Sequence, residues 1–316
     1  MESLKLSFDA IAPIFLLMLL GYVLKTLKVC DKKGFDLINK LVFKAFLPTL
    51  LFYNIYKTDT ANIIDPKLVI FTVVGVLSVF ILGYFSVFGL TKENPKRGVM
   101  LQGFFRTNFA ILGIPLVSYI CGEEAKGLAS LMVAVVVPMF NILAVVALER
   151  FRDGNGKPNF SKLLKGMAKN PLIIGCVIGL VFLALDIKLP YVIEKAVADI
   201  GSISTPLAII ALGAGFEFTG IGDQLKEISI VIIARLVVIP LIVLSTAILC
   251  GFSGGALACL LITFGGPIAV SSFPMVQQMD GDERLAAQII VISSAFCLFT
   301  LFLWIFAINY LGLFNV

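Results

Sequence analysis

The sequence predicts an all-α membrane protein of ten transmembrane helices, built as two inverted five-helix repeats whose fourth and ninth helices are broken and crossed. Three observations predict it. Apolar runs long enough to cross a hydrocarbon layer of ~30 Å recur along the chain, separated by short charged punctuation. Prolines and glycines recur in register between the two halves. A hydrophobic content of 59% against 14% charged residues, with mean hydropathy +1.03, excludes an ordinary soluble domain.

Taken in order, the spans are Ile11 to Leu27, Leu37 to Tyr56, Leu68 to Leu90, Val99 to Cys121, Leu128 to Leu148, Pro171 to Ile187, Val192 to Phe216, Ile228 to Cys250, Ala256 to Val276 and Leu285 to Leu311. Residues 1–9 carry Glu2, Lys5 and Asp9 and lack a basic leader pattern, so the first run reads as a retained helix. With the N-terminus outside, the inside loops collect fifteen Lys and Arg and the outside loops six, and this asymmetry places both termini outside an inner or plasma membrane. The halves are then residues 1–150 and 171–316. Residues 151–170 form a cytoplasmic linker whose DGNGKPNF stretch reads as turns.

An offset of 158 residues pairs Pro13 with Pro171, Gly21 with Gly179 and Pro48 with Pro206. An offset of 159 pairs Pro115 with Pro274 and Gly122 with Gly281. Shared register of this kind indicates duplication. Each half has an odd number of spans, so the second enters the membrane with opposite polarity. Inverted repeats of this type serve alternating access around one central site.

The fourth span carries Arg106, Thr107, Asn108, Gly113 and Pro115 near its centre, and the ninth carries Gly266, Pro267, Ser271, Ser272 and Pro274. Proline removes a backbone donor and glycine lets the freed chain turn aside, so both spans are expected to break, around Gly113 to Pro115 and around Gly266 to Pro267. A break inside a membrane leaves backbone groups that must line a cavity or bind something. Half-helix N-termini aimed at one point favour an anion, with Thr107, Asn108, Ser271 and Ser272 offering hydrogen bonds. Arg106 either adds a charge for the anion or balances a neighbour. Asn141, beside Pro138 in the fifth span, bonds either a neighbouring helix or a ligand. Gln277, Gln278 and Glu217 are candidates for coupling a sodium ion or a proton, or are interfacial polar residues. Arg235 pairs with Glu217 or acts in coupling, and Lys44 is within conceivable reach of Asp199.

The basic excess, +5 overall, falls in short loops and forms no stripe for nucleic acid. The chain has no His, no CxxC pair and no HExxH or GxSxG motif, so neither an enzyme nor a cofactor is expected. The six cysteines are scattered and read as small packing residues.

NFAILGIPL in the fourth span, NPLIIGCVIGL in the sixth, TPLAIIALGAG in the seventh and ARLVVIP in the eighth resemble the auxin efflux carrier family, which includes bacterial transporters and the plant PIN proteins. The resemblance covers nearly the whole chain. It implies a fold similar to bile acid symporters and sodium/proton antiporters, with a scaffold and a crossover domain. Pro115 and Pro274 correspond to the crossover prolines and Asn108 to the crossover asparagine. It also implies export of small organic anions, often by a homodimer. The second crossover, GGPIAVSSFP, departs from the family in lacking an asparagine, and the short central loop argues for a bacterial-type member. The expectation is therefore a secondary active efflux carrier of small carboxylates in contact with membrane lipid. Its rivals are a sodium-coupled importer of the same anions and a passive channel.

Overall fold

The computed structural model describes residues 2–57, 65–152, 160–217 and 221–314, all helix and connecting turn apart from one isolated β-bridge. The helices are α1 (Glu2–Thr26), α2 (32–56), α3 (Pro66–Leu90), α4 (Asn94–Phe105), α5 (Phe109–Cys121), α6 (Lys126–Arg152), α7 (Phe160–Lys169), α8 (Pro171–Ala184), α9 (Tyr191–Gly215), α10 (Gly222–Leu249), α11 (Gly254–Gly265), α12 (Ser272–Gln278) and α13 (Glu283–Tyr310). Among the described residues α3, α6, α9, α10 and α13 are each long and apolar enough to cross a bilayer alone. Their outward faces carry large exposed apolar residues such as Leu82, Phe85, Ile242, Phe299 and Phe306. This is a multi-pass membrane protein.

Local chemistry starts these helices where they start. Asp31, Asp65, Asn170 and Asp282 each accept a backbone N–H from the first turn of the helix that follows. Pro66 and Pro171 then stand at the first helical position, where the missing N–H costs nothing. At the far end of α2, Lys57 pairs with Glu194 of α9, and that hydrogen bond raises the Lys57 pKa above its ordinary value.

Two prolines inside spans are accommodated by widening the helix. The five-residue π turn Val42–Phe46 lies two residues before Pro48, and the π turn Ala234–Val238 lies two residues before Pro240. Proline cannot donate to the carbonyl four residues back, and a wider turn relieves the clash with that carbonyl. For Pro240 the orphaned acceptor is the Leu236 carbonyl, and it receives the indole N–H of Trp304, the only tryptophan, at 3.0 Å.

The structure corrects several expectations. Helix α1 begins at Glu2, because nothing in residues 2–9 breaks a helix and Pro13 is carried inside it. The linker holds the ten-residue helix α7, whose FSKLLKGMAK sequence is rich in good helix formers; residues 153–159, with most of the DGNGKPNF stretch, lie outside the described residues. The fourth span breaks at Arg106–Asn108, and Gly113 and Pro115 sit inside α5. Pro115 therefore sits inside a helix that has already restarted. Pro274 lies in the first turn of α12, where its ring removes no helical hydrogen bond.

Helices α1, α2, α8 and α9 form one group, in which α1 packs on α9 and α2 packs on α8 and α9. Glycine makes these contacts close. A Cβ on Gly213 would meet the Met18 carbonyl oxygen at 1.9 Å, and one on Gly21 would meet the Ile210 carbonyl oxygen at 1.9 Å. The remaining spans form a second group around α4, α5, α11 and α12, with α6 touching α2 and α8, and α13 touching α1 and α9.

Candidate functional site

The two broken spans meet at their breaks. Thr107 and Ile268 pair as an isolated antiparallel bridge. The Asn108 amide donates to the Pro267 carbonyl at 2.9 Å, and the Thr107 hydroxyl donates to the same oxygen at 3.0 Å. The contact requires glycine at 266, where a Cβ would lie 2.5 Å from Thr107 Oγ1 and 2.7 Å from the Ile262 carbonyl oxygen. Ser293 of α13 steadies the second break by accepting the Ile268 amide at 3.4 Å. Two extended segments thus satisfy each other's backbone groups in the interior of a membrane protein, where no water is available to do it.

Two guanidinium groups are buried here, Arg106 at 2% and Arg235 at 0% exposure. Among the described residues neither forms an ion pair with a carboxylate. Arg235 projects from the π turn of α10 and binds only carbonyls at the C-terminal ends of the half-helices. These are Phe104 at 3.3 Å and Phe105 at 3.4 Å from α4, and Thr263 at 2.8 Å and Gly266 at 3.1 Å from α11 and its cap. The C-termini carry partial negative charge, about half an elementary charge each, and Arg235 answers it.

Arg106 faces the other way. Its Nη1 donates to Gln102 Oε1 at 3.2 Å and Met275 Sδ at 2.8 Å, and its Nη2 donates to Asn141 Oδ1 at 2.8 Å and Ser271 Oγ at 2.9 Å. All four acceptors are neutral. Asn141 is oriented by its own Nδ2 donating to the Val137 carbonyl at 2.7 Å. Beside this cluster Asn108 heads α5 without capping it. Its Nδ2 is buried and has no hydrogen-bond partner, and Gln102 Nε2 and Ser272 Oγ are in the same condition. Buried polar groups are normally paired, so three orphans around one cation need a reason.

A match to a model of the membrane transport protein family runs over residues 6–305. The chain belongs to that family, an auxin-efflux-carrier-like family of transporters. Similar members include an uncharacterized transporter of Methanothermobacter thermautotrophicus, 25% identical over 301 residues, covering 94% of this chain and 97% of the relative. Another is an uncharacterized transporter of Methanocaldococcus jannaschii, 25% identical over 304 residues, covering 94% and 97%. Membership in this transporter family makes the chain a transporter and not an enzyme.

Of the residues singled out in the sequence, this family member brings Arg106, Thr107, Asn108, Asn141, Gly266, Pro267, Ser271 and Ser272 into one place. Gly113 stands away from the break and seats the Phe109 ring, 2.5 Å from where a Cβ would be. Gln277 and Glu217 lie elsewhere, in a cavity of about 250 Å³ that also receives Lys25, Lys32, Asp36, Asn39, Glu283 and Arg284; Gln278 does not line it. Gln277 donates to Asp36 at 2.7 Å and Glu283 at 3.0 Å. Glu217 lies 4.0 Å from Arg284, so the expected Arg235–Glu217 pair does not form. Nor does Lys44 reach Asp199: Lys44 is exposed, and Asp199 pairs with Lys195 one turn away. Sequence reasoning missed Gln102 and Met275 and left Arg235 between a pair with Glu217 and a role in coupling, although an arginine inside an apolar run is itself a signal.

Proposed function

We propose that this protein is a secondary active transporter that exports small organic anions of the carboxylate class, binding them where the fourth and ninth spans break. One observation carries the reading: Arg106, a buried cation, has only neutral acceptors around it and orphaned amide donors beside it. A cation taken out of water costs several kcal/mol unless it is paired, and a carboxylate accepting from Arg106 and Asn108 supplies the missing partner. The thirteen-residue helix α5 points its N-terminus at the same spot and adds about half a positive charge.

Alternating access follows if the group holding the breaks moves against α1, α2, α8 and α9. Inverted repeats over residues 1–150 and 171–316, joined by residues 151–170, supply the two equivalent states. Supporting this division, a Cβ on Gly21 points at the Ile210 carbonyl and one on Gly179 lies 3.1 Å from the Phe52 carbonyl, and both residues of the first contact are displaced by the same 158 residues from their counterparts in the second. Half-helices α4 and α11, twelve residues each, agree as well, ending 160 residues apart at Phe105 and Gly265. The same reading places both termini outside the plasma membrane and allows a homodimer through the first group.

The test is a thermal-shift screen of the purified protein against mono- and dicarboxylates, followed by flux in proteoliposomes. A bound anion raises the melting temperature by mass action. Asn108→Ala keeps the unliganded melting temperature, because its Nδ2 has no protein partner to lose, and forfeits most of the anion-induced shift and of the flux. Unaltered flux in Asn108→Ala rejects the site. Sodium-driven import is the second reading, favoured by the buried, unpartnered oxygens of Asn39 and Gln277 in their shared cavity. Flux that requires sodium selects it.

A further inference from the structure

The crossing has two electrostatic sides, with the Arg106 guanidinium among neutral side chains and the Arg235 guanidinium among backbone carbonyls. Half-helix C-termini at a membrane break are where cation-coupled carriers hold a sodium ion, because unwound carbonyls and negative dipole ends converge there. In this chain the position is filled. The carbonyls of Phe104, Phe105, Thr263 and Gly266 all converge on the Arg235 guanidinium. We propose that Arg235 is the resident cation of the crossing, a tethered charge in the seat of a coupling ion, so that the break holds together with no metal ion between its C-terminal ends.

The charge balance agrees. Two helix C-termini sum to about one negative charge, and one guanidinium cancels it. The internal repeat makes the same point sterically. The half-helix ends Phe105 and Gly265 stand 160 residues apart, and at that spacing the counterpart of Arg235 is Gly75. Gly75 has no side chain to offer, and the Phe264 ring closes over it, 2.8 Å from where a Cβ would be. One half carries the cation and the other a glycine covered by an aromatic ring. Arg235 is also placed by a device of its own, since the π turn at Ala234–Val238 and the proline that follows set its direction.

This inference concerns the C-terminal side of the crossing and does not depend on what binds at Arg106. It is tested by melting purified wild type and three variants in chlorides of sodium, potassium and choline at equal ionic strength, each variant read against wild type in the same salt. Arg235→Ala leaves four carbonyl oxygens around a space open to a small cation. It should melt several degrees below wild type in choline, which is too large to enter, and recover a good part of the loss in sodium or potassium. Arg235→Met fills the space without charge and should lose stability in all three salts alike. Arg235→Lys should keep most of the stability and ignore the cation. A Met variant as stable as wild type, or an Ala variant with no recovery in either alkali salt, overturns the proposal. If Arg235→Ala does not fold, the Lys and Met variants decide: Lys clearly above Met upholds the tethered charge, and equal melting temperatures refute it.

Discussion

Thr107 and Ile268, from opposite halves of the chain, form the one β-bridge among the described residues, and they do so at the point where both of their spans lose helical geometry. Each break thus completes the other. The pairing leaves no room for side-chain atoms at Gly266, whose missing Cβ gives Thr107 Oγ1 its place.

Gly266→Ala is therefore expected to destabilise the protein by about 1–3 kcal/mol, the usual cost of forcing atoms into a packed interior. Gly89→Ala is the control, since nothing lies within 4 Å of a Cβ there. Thermal unfolding in detergent compares the two. Equal melting temperatures would mean that the breaks are held by something other than this contact.

Trp304→Phe removes the donor to the Leu236 carbonyl, which Pro240 cannot satisfy in its place. A buried acceptor left unmatched costs about 1–3 kcal/mol. Pro240→Ala restores a backbone N–H to the helix, so the tryptophan change should cost less in that background. A double-mutant cycle measures the difference, and purely additive costs would show that the indole bond does not compensate for the proline.

Asn141→Leu takes an acceptor from Arg106 without altering the Arg235 clamp. The expected loss is about 1–3 kcal/mol of stability, with Asn141→Asp, which gives Arg106 a charged acceptor but sets an oxygen against the Val137 carbonyl, above Asn141→Leu. In the proposed site the aspartate also competes with the anion, so this variant should be more stable than Asn141→Leu and a worse ligand binder than wild type. A thermal-shift series with and without carboxylate separates the two effects; tight ligand binding in Asn141→Asp would place the anion elsewhere.

Much of the architecture was legible in the sequence because its signals are local. Apolar length marks the spans, Asp-Pro and Asn-Pro pairs open α3 and α8, and Gly265-Gly266-Pro267 locates the second break within a residue or two. The first break was misplaced for a physical reason. Arg106, Thr107 and Asn108 include no glycine or proline, and what holds them extended is the backbone of a segment 160 residues away. The obvious breaker, Pro115, is absorbed by α5. The partners of Arg235 were hidden for a different reason. Its charge was conspicuous in the sequence, but carbonyl oxygens have no sequence signature, and the sequence offered Glu217 as a carboxylate partner or a coupling role instead.

Where α1 meets α9, main chain rests on main chain at two points, Gly21 against Ile210 and Gly213 against Met18. At those two points there are no rotamers to exchange, so in the proposed cycle this seam is expected to hold its register. Any stroke in the proposed cycle then falls to the surfaces of α6 and α13, where side chains of ordinary length can let go of one set of neighbours and take up the next.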